Sequence, residues 1–239
     1  MAVHSTPINM KLSEIRSNSK KTASDNSAGR KNLFGHYVWN PVSSLFVWLL
    51  LPTKLSPNNI SFLSMICAVV GFVVMCFARS IGMKIAGVAG FMLWAILDCV
   101  DGNIARIRKQ FSPIGDLWDA AAGYVAMSLM FLGIGICAFD RADVNSLVYV
   151  ILGGVTSICI LLPRLLMHFR YHGEVNEIND QRTYGFVRIV AFNITSPDGL
   201  VLPLMIVAIL LHMEHLYIAG YFLLYLIICV YTCAKLLKE

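Results

Sequence analysis

Charged side chains are scarce in this chain of 239 residues, because only 14% are Asp, Glu, Lys or Arg while 57% are hydrophobic. Soluble globular domains carry about a quarter charged residues, so the composition excludes a water-soluble globular protein. The seven cysteines form no C-x-x-C pair, which argues against a zinc site or a disulfide framework. The first thirty residues lack an apolar run, so no signal peptide is predicted. The length allows about six membrane crossings of roughly 20 residues each.

Apolar runs divide the chain into a tail and a membrane domain. Residues 1–31 are rich in Ser, Asn and Lys and predict a flexible cytosolic tail, whereas residues 32–239 predict the membrane domain. Residues 32–52 are aromatic and apolar but too short to cross, which predicts an interfacial helix. Longer runs predict six spans, at 58–79, 82–105, 114–139, 144–168, 198–213 and 215–235. The expected fold is an all-α integral membrane protein with six transmembrane helices and an N-terminal interfacial helix.

Basic residues are unevenly divided between the two sides of this predicted bundle. Six crossings place both termini on one side, and that side receives most of the lysines and arginines. The other side receives only Arg79, Lys84 and Arg141. By the positive-inside rule, both termini and the loop after the second span are expected in the cytosol. The short loops and absent targeting sequence favour a multi-pass protein of a microbial cell membrane.

Four aspartates, Asp98, Asp101, Asp116 and Asp119, lie near the predicted cytosolic ends of the second and third spans. A carboxylate beside hydrocarbon is costly unless it faces water, a partner or a cation. Asp98 and Asp101 are three residues apart and share a helix face, and Asp119 on the next helix can reach the same pocket. Clustered carboxylates repel one another unless a divalent cation neutralises them, and their oxygens favour Mg²⁺, Mn²⁺ or Ca²⁺. The structural alternative is that they cap helix ends or pair with nearby arginines.

The residues between the aspartates favour phosphate chemistry. Gly102 and Gly115 remove side chains beside the carboxylates, so a ligand can approach the backbone closely. Arg106 supplies a fixed charge and a forked donor that suits phosphate oxygens. Carboxylates, a divalent metal, an arginine and glycine gaps together could bind a diphosphate and weaken one of its P–O bonds.

This stretch resembles the signature of the CDP-alcohol phosphotransferases, also called CDP-alcohol phosphatidyltransferases. The family pattern is D-x-x-D-G-x-x-A-R, eight residues, then G-x-x-x-D-x-x-x-D. Seven of its eight positions are matched here, by Asp98, Asp101, Gly102, Ala105, Arg106, Gly115 and Asp119. Ser56-Pro57-Asn58 also resembles a family element before the first span.

The resemblance implies a membrane transferase that moves a phospho-alcohol from a CDP-alcohol to an acceptor and releases CMP, in phospholipid or lipid-linked glycan synthesis. It implies Mg²⁺ or Mn²⁺, usually two ions, with the second site in question here. The implied catalytic metal ligands are Asp98, Asp101 and Asp119. The implied CDP-binding residues are Gly102, Ala105, Arg106 and Gly115, with Asn58 as a weaker candidate. The implied partners are the CDP-alcohol, a lipid, alcohol or phosphate acceptor, membrane lipids and a second copy in a homodimer, with no nucleic acid.

The eighth signature position departs from the family, because Gly123 stands where the last aspartate is expected. In the family, that carboxylate takes the proton from the acceptor hydroxyl. The chain is then either inactivated or uses another base, of which Asp116 is the nearest and His168, His172 and Asp198 are others. A third hypothesis is that no base is needed, because the acceptor is already ionised, as in a polyprenyl phosphate. Gly123 could also make room for a bulkier acceptor.

Two other classes of protein fit parts of the sequence. A non-catalytic nucleotide-binding membrane protein agrees with the missing eighth residue. An ion-coupled transporter agrees with acids inside a helical bundle, but such transporters usually have repeated halves, and no second aspartate cluster exists in the sequence.

Overall fold

The computed structural model describes residues 10–17, 34–139, 147–170 and 186–237. All regular secondary structure in these ranges is helical, which confirms the all-α prediction. Most of the predicted tail lies outside the described residues. Within it, residues 12–17 form a short helix whose Ile15 side chain is buried.

The main helices are labelled in chain order. They are α1 (Asn40–Leu50), α2 (Pro57–Cys76), α3 (Ile81–Arg108), α4 (Pro113–Phe139), α5 (Leu147–Arg170), α6 (Phe186–Thr195), α7 (Leu202–Leu210) and α8 (Glu214–Leu236). A π-helical turn, Gly35–Trp39, leads into α1, and a second, Pro197–Val201, leads into α7.

Serines fix where three of the long helices begin. Ser56 and Ser112 each precede a proline. The N–H groups of the first helical turn have no acceptor within the helix, so proline, which has no N–H, is well suited to this position. The Ser56 hydroxyl accepts a bond of 3.3 Å from the Asn59 N–H, and the Ser112 hydroxyl accepts one of 3.0 Å from the Gly115 N–H. Ser80 caps α3 in the same way. The beginnings of α2 and α4, which carry candidate site residues, are therefore set by local sequence.

Five of the helices in the described residues are long and apolar enough to cross a membrane: α2, α3, α4, α8 and residues 147–167 of α5. Their bounds lie within a few residues of the predicted spans. Each of these helices leaves large apolar side chains exposed, such as Val70, Ile158 and Ile227, and this exposure suits a lipid environment. The protein is therefore a multi-pass membrane protein.

The predicted span at 198–213 differs from the others. Only Leu202–Leu210 is α-helical there, and nine residues extend about 14 Å, half of a typical hydrocarbon core. Gly199 before it has non-helical angles, and a Cβ atom at Gly199 would collide with the carbonyl oxygen of Asn193. The structure thus supports five spans by length, and the sixth crossing stays a prediction. The same holds for the interfacial placement of residues 32–52, whose apolar helix covers Tyr37–Leu50.

The chain forms two compact units. The first contains residues 1–66, 93–122 and 181–201, and the second contains residues 67–92, 123–180 and 202–239. In the first, the Phe34 N–H donates to the Asn193 side chain, which connects the approach to α1 with α6. In the second, α5 and α7 both pack against α8. The first unit carries all seven matched signature residues.

A buried ion pair ties three helices together in the second unit. The Lys84 ammonium on α3 lies 3.4 Å from the Glu214 carboxylate on α8 and donates a bond of 2.7 Å to the Cys137 carbonyl on α4. Both charged residues are only 1% exposed. Lys84 was one of the few basic residues assigned to the side opposite the cytosol, and its charge is compensated inside the protein.

Removal of one member of this pair should be more harmful than removal of both. A Lys84→Met variant leaves the Glu214 carboxylate buried without its cation, at a cost of about 3–5 kcal/mol. The Lys84→Met/Glu214→Leu double variant replaces both charges with apolar groups and should recover most of that loss. Thermal unfolding of purified protein in detergent micelles measures these two variants and the Glu214→Leu single variant. A double variant as unstable as the sum of two single variants would contradict this coupling.

Candidate functional site

The seven matched signature residues lie at the adjoining ends of two consecutive helices. The last three turns of α3 carry Asp98, Asp101 and Arg106, and the first two turns of α4 carry Gly115 and Asp119. Only residues 109–112 separate the two helices, so these ends are held close together. The beginning of α2 belongs to the same unit.

The carboxyl groups of Asp98 and Asp119 are in side-chain hydrogen-bonding contact across the two helices. Asp101 is buried, with 4% exposure, and accepts a hydrogen bond from the Ser61 hydroxyl on α2. Asp101 and Asp119 are also electrostatic neighbours. Two acids in contact repel unless a proton or a cation lies between them, so this arrangement favours a shared positive partner.

Arg106 stands beside the acids with its guanidinium held in place. One of its terminal nitrogens donates a bond of 3.1 Å to the Asn103 side-chain oxygen one turn earlier. A Cβ atom at Gly102 would lie 3.3 Å from the same nitrogen, so the missing side chain leaves room for the guanidinium. Arg106 is itself exposed, and its remaining N–H groups suit a phosphate.

Gly115 is in close contact with the beginning of α2. A Cβ atom there would lie 3.0 Å from the Asn58 side-chain oxygen and 3.2 Å from the Ser112 hydroxyl. The Ser56-Pro57-Asn58 element and the second glycine of the signature are thus neighbours. Any larger residue at 115 would push the Asn58 amide away.

The oxygen donors suit a hard divalent cation by their chemistry, since they are three carboxylates with a serine hydroxyl beside them. Among the described residues, no group of three or more His, Cys, Asp or Glu side chains is already arranged to hold a metal ion. The Asp98 and Asp119 pair is assembled, whereas the Asp101 oxygen is engaged by Ser61. The metal-binding role of these aspartates therefore stays a prediction.

The alternative bases are not all within the described part of the chain. His172 lies outside the described residues, as do the side chains of His168 and Asp198. Asp116 is exposed and is an electrostatic neighbour of Asp119 from the preceding turn. Gly123 lies one turn further along α4 than Asp119, and a Cβ atom there would meet only the Met127 methyl, at 3.5 Å.

Arg108 holds the chain segment that leads into this site, a role that the sequence did not predict. One terminal nitrogen donates to the carbonyl oxygens of Leu51 at 2.9 Å and Thr53 at 2.6 Å, and the other donates to the Leu55 carbonyl. All three carbonyls lie immediately before Ser56-Pro57-Asn58. Arg108 therefore fixes how the chain enters α2.

We expect an Arg108→Gln variant to lose about 2 kcal/mol of stability, because bonds from a charged donor to three carbonyls are removed. Lys109→Gln is the matched control, since it removes the next positive charge along the chain, on an exposed side chain. Thermal unfolding in detergent compares the two variants. Equal stability of both would show that the three carbonyl bonds add nothing beyond charge.

Comparison with known proteins identifies the family. The sequence matches the CDP-alcohol phosphatidyltransferase family over residues 54–230, and the chain therefore belongs to this family of membrane transferases. It is also similar to a protein named bifunctional IPC transferase and DIPP synthase from Rubrobacter xylanophilus, with 35% identity over 92 residues. That match covers 38% of this chain and 20% of the relative. The resemblance seen in the signature is confirmed.

Proposed function

We propose that this protein transfers a phospho-alcohol group from a CDP-alcohol to an acceptor and releases CMP, in the synthesis of phospholipids or other lipid-linked products. The reacting groups bind where the end of α3 meets the beginning of α4. Family membership supports the reaction class, and the name of the Rubrobacter relative, a transferase and synthase, agrees with it.

The single observation that carries the proposal is the contact between Asp98 and Asp119, with Arg106 beside them. Acids brought together from two apolar helices are costly unless they face water, a partner or a cation. A cation-bound diphosphate supplies the positive ion that the acids attract and the phosphate oxygens that the arginine attracts.

Asp98, Asp101 and Asp119 would hold Mg²⁺ or Mn²⁺. When bound, such an ion neutralises charge on the diphosphate and makes CMP a better leaving group. Arg106 would bind a diphosphate oxygen through its free N–H groups, oriented by Asn103. Gly102, Ala105 and Gly115 would let the nucleotide approach the helix backbones, with Asn58 at its edge.

The acceptor is proposed to be an anion, such as a polyprenyl phosphate. Gly123 cannot accept a proton, and an ionised acceptor has none to give up at the reacting oxygen. A Cβ atom at Gly123 would meet only the Met127 methyl, at 3.5 Å, so the missing side chain leaves room for an acceptor that is bulkier than a small polyol.

The proposal places the site on the cytosolic face of a microbial membrane. The basic residues that flank the site support this side by the positive-inside rule. We also propose a short sixth crossing that includes α7, because the run at 198–213 is apolar, and a homodimer, by analogy with the family.

The first test measures release of labelled CMP by the purified protein with a panel of CDP-alcohols and acceptors. We expect activity that requires Mg²⁺ or Mn²⁺ and falls roughly 100-fold or more in Asp98→Asn and Asp119→Asn, the scale of a lost electrostatic contact in a transition state. Asp116→Asn is the matched control, because this exposed acid lies on the same helix and should keep near-normal turnover. Unchanged activity in Asp98→Asn and Asp119→Asn would refute the site.

The acceptor is tested with Gly123→Asp. The restored carboxylate should increase turnover on neutral alcohols by roughly 100-fold, the contribution of a positioned general base. The unaltered protein should instead prefer an ionised acceptor. Efficient turnover of a neutral polyol by the unaltered protein would contradict an anionic acceptor. If no acceptor supports CMP release but CDP still raises the unfolding temperature in the presence of Mg²⁺, the protein binds the nucleotide without catalysis.

A further inference from the structure

Trp94 carries a buried hydrogen-bond donor that has no acceptor. In the part of the chain that the structure describes, its indole N–H is the one buried side-chain polar atom without a hydrogen-bond partner. The residue is 3% exposed, so solvent does not replace the missing acceptor. A buried N–H that gives up water and gains nothing destabilises the protein, whereas Phe in its place would not. Buried tryptophans usually find a partner for this group.

The position of Trp94 on α3 relates it to the candidate site. It precedes Asp98 by four residues and Asp101 by seven, and these spacings put all three on one face of the helix. Four residues correspond to about 6 Å along the axis, away from the Arg108 end of α3. Trp94 is thus one turn beyond the acids, toward the apolar middle of the helix.

The α3 backbone cannot supply the missing acceptor, since carbonyls inside a helix already accept from the N–H four residues later. With no acceptor for this N–H in the described residues, a bound molecule on this face of α3 could supply one. Trp94 lies one turn from the acids that would hold a diphosphate, toward the apolar middle of the helix. A lipid substrate bound by those acids would have the polar atoms of its head near this position. Its phosphate or ester oxygens are acceptors, and its hydrocarbon continues into the membrane.

We infer that the Trp94 indole N–H donates a hydrogen bond to a phosphate or ester oxygen of the lipid substrate, and so helps to fix its depth at the site. The inference rests on the proposed function. The oxygen belongs either to a CDP-linked lipid or to a lipid phosphate acceptor, and the experiment separates these two sources.

Trp94→Phe removes the N–H and keeps most of the ring. CMP release is measured while either CDP-diacylglycerol or a polyprenyl phosphate is varied and the other substrate is saturating. The KM of the lipid that Trp94 contacts should rise roughly tenfold, the scale of one hydrogen bond to a charged or polar oxygen, with kcat changed little. Trp48→Phe is the matched control, since Trp48 lies on α1 and is 46% exposed.

Thermal unfolding separates ligand binding from a structural role. Ligand-free Trp94→Phe should lose only the packing of the smaller ring, because no internal hydrogen bond is lost. Each lipid, added in detergent micelles without the second substrate, should raise the unfolding temperature of Trp48→Phe, and one of them should do so less for Trp94→Phe. This measurement of binding does not depend on turnover. Absence of CMP release would refute the proposed function but not the inference about Trp94. Equal protection of both variants by both lipids, or no protection of either, would overturn the inference.

Discussion

Asp98 and Asp119 belong to two helices that are otherwise apolar enough to cross a membrane, and their carboxyl groups touch. Charged carboxylates beside apolar helices raise the free energy of the folded protein, and the neighbouring groups of the site reduce that cost. Ser61 donates to the neighbouring Asp101, Arg106 lies next to the pair, and the short connection through Ser112 and Pro113 keeps the two helix ends together. A cation with a bound diphosphate would complete the charge balance.

The long helices follow from hydropathy, and so the sequence predicts α2, α3, α4 and α8 within a few residues. The beginnings of α2 and α4 are also determined by local sequence, namely by the serines before Pro57 and Pro113. The region 198–213 is less regular than its apolar composition suggests, because the α-helix there begins only at Leu202, after Pro197 and the non-helical Gly199. Hydropathy averages over such a window and does not register the non-helical residue.

The signature predicted which side chains lie close together, because spacing along one helix and across a short connection determines their positions. Contacts between distant parts of the chain were not predictable in this way. Lys84 and Glu214 are 130 residues apart, and nothing near either of them announces the pair. Arg108 and Trp94 were missed for another reason, since a basic residue at a helix end and an aromatic residue inside a span both have ordinary explanations from membrane topology.

The central claim is that acids from α3 and α4 hold one cation that also binds the nucleotide diphosphate. Pulsed electron paramagnetic resonance of Mn²⁺ tests it directly, by the coupling between the ion and the ³¹P nuclei of added CDP-alcohol. The account predicts a protein-bound Mn²⁺ signal with ³¹P coupling that is lost in both Asp98→Asn and Asp119→Asn. A coupling that survives in either variant, or bound Mn²⁺ that never couples to phosphorus while CMP is released, would contradict it.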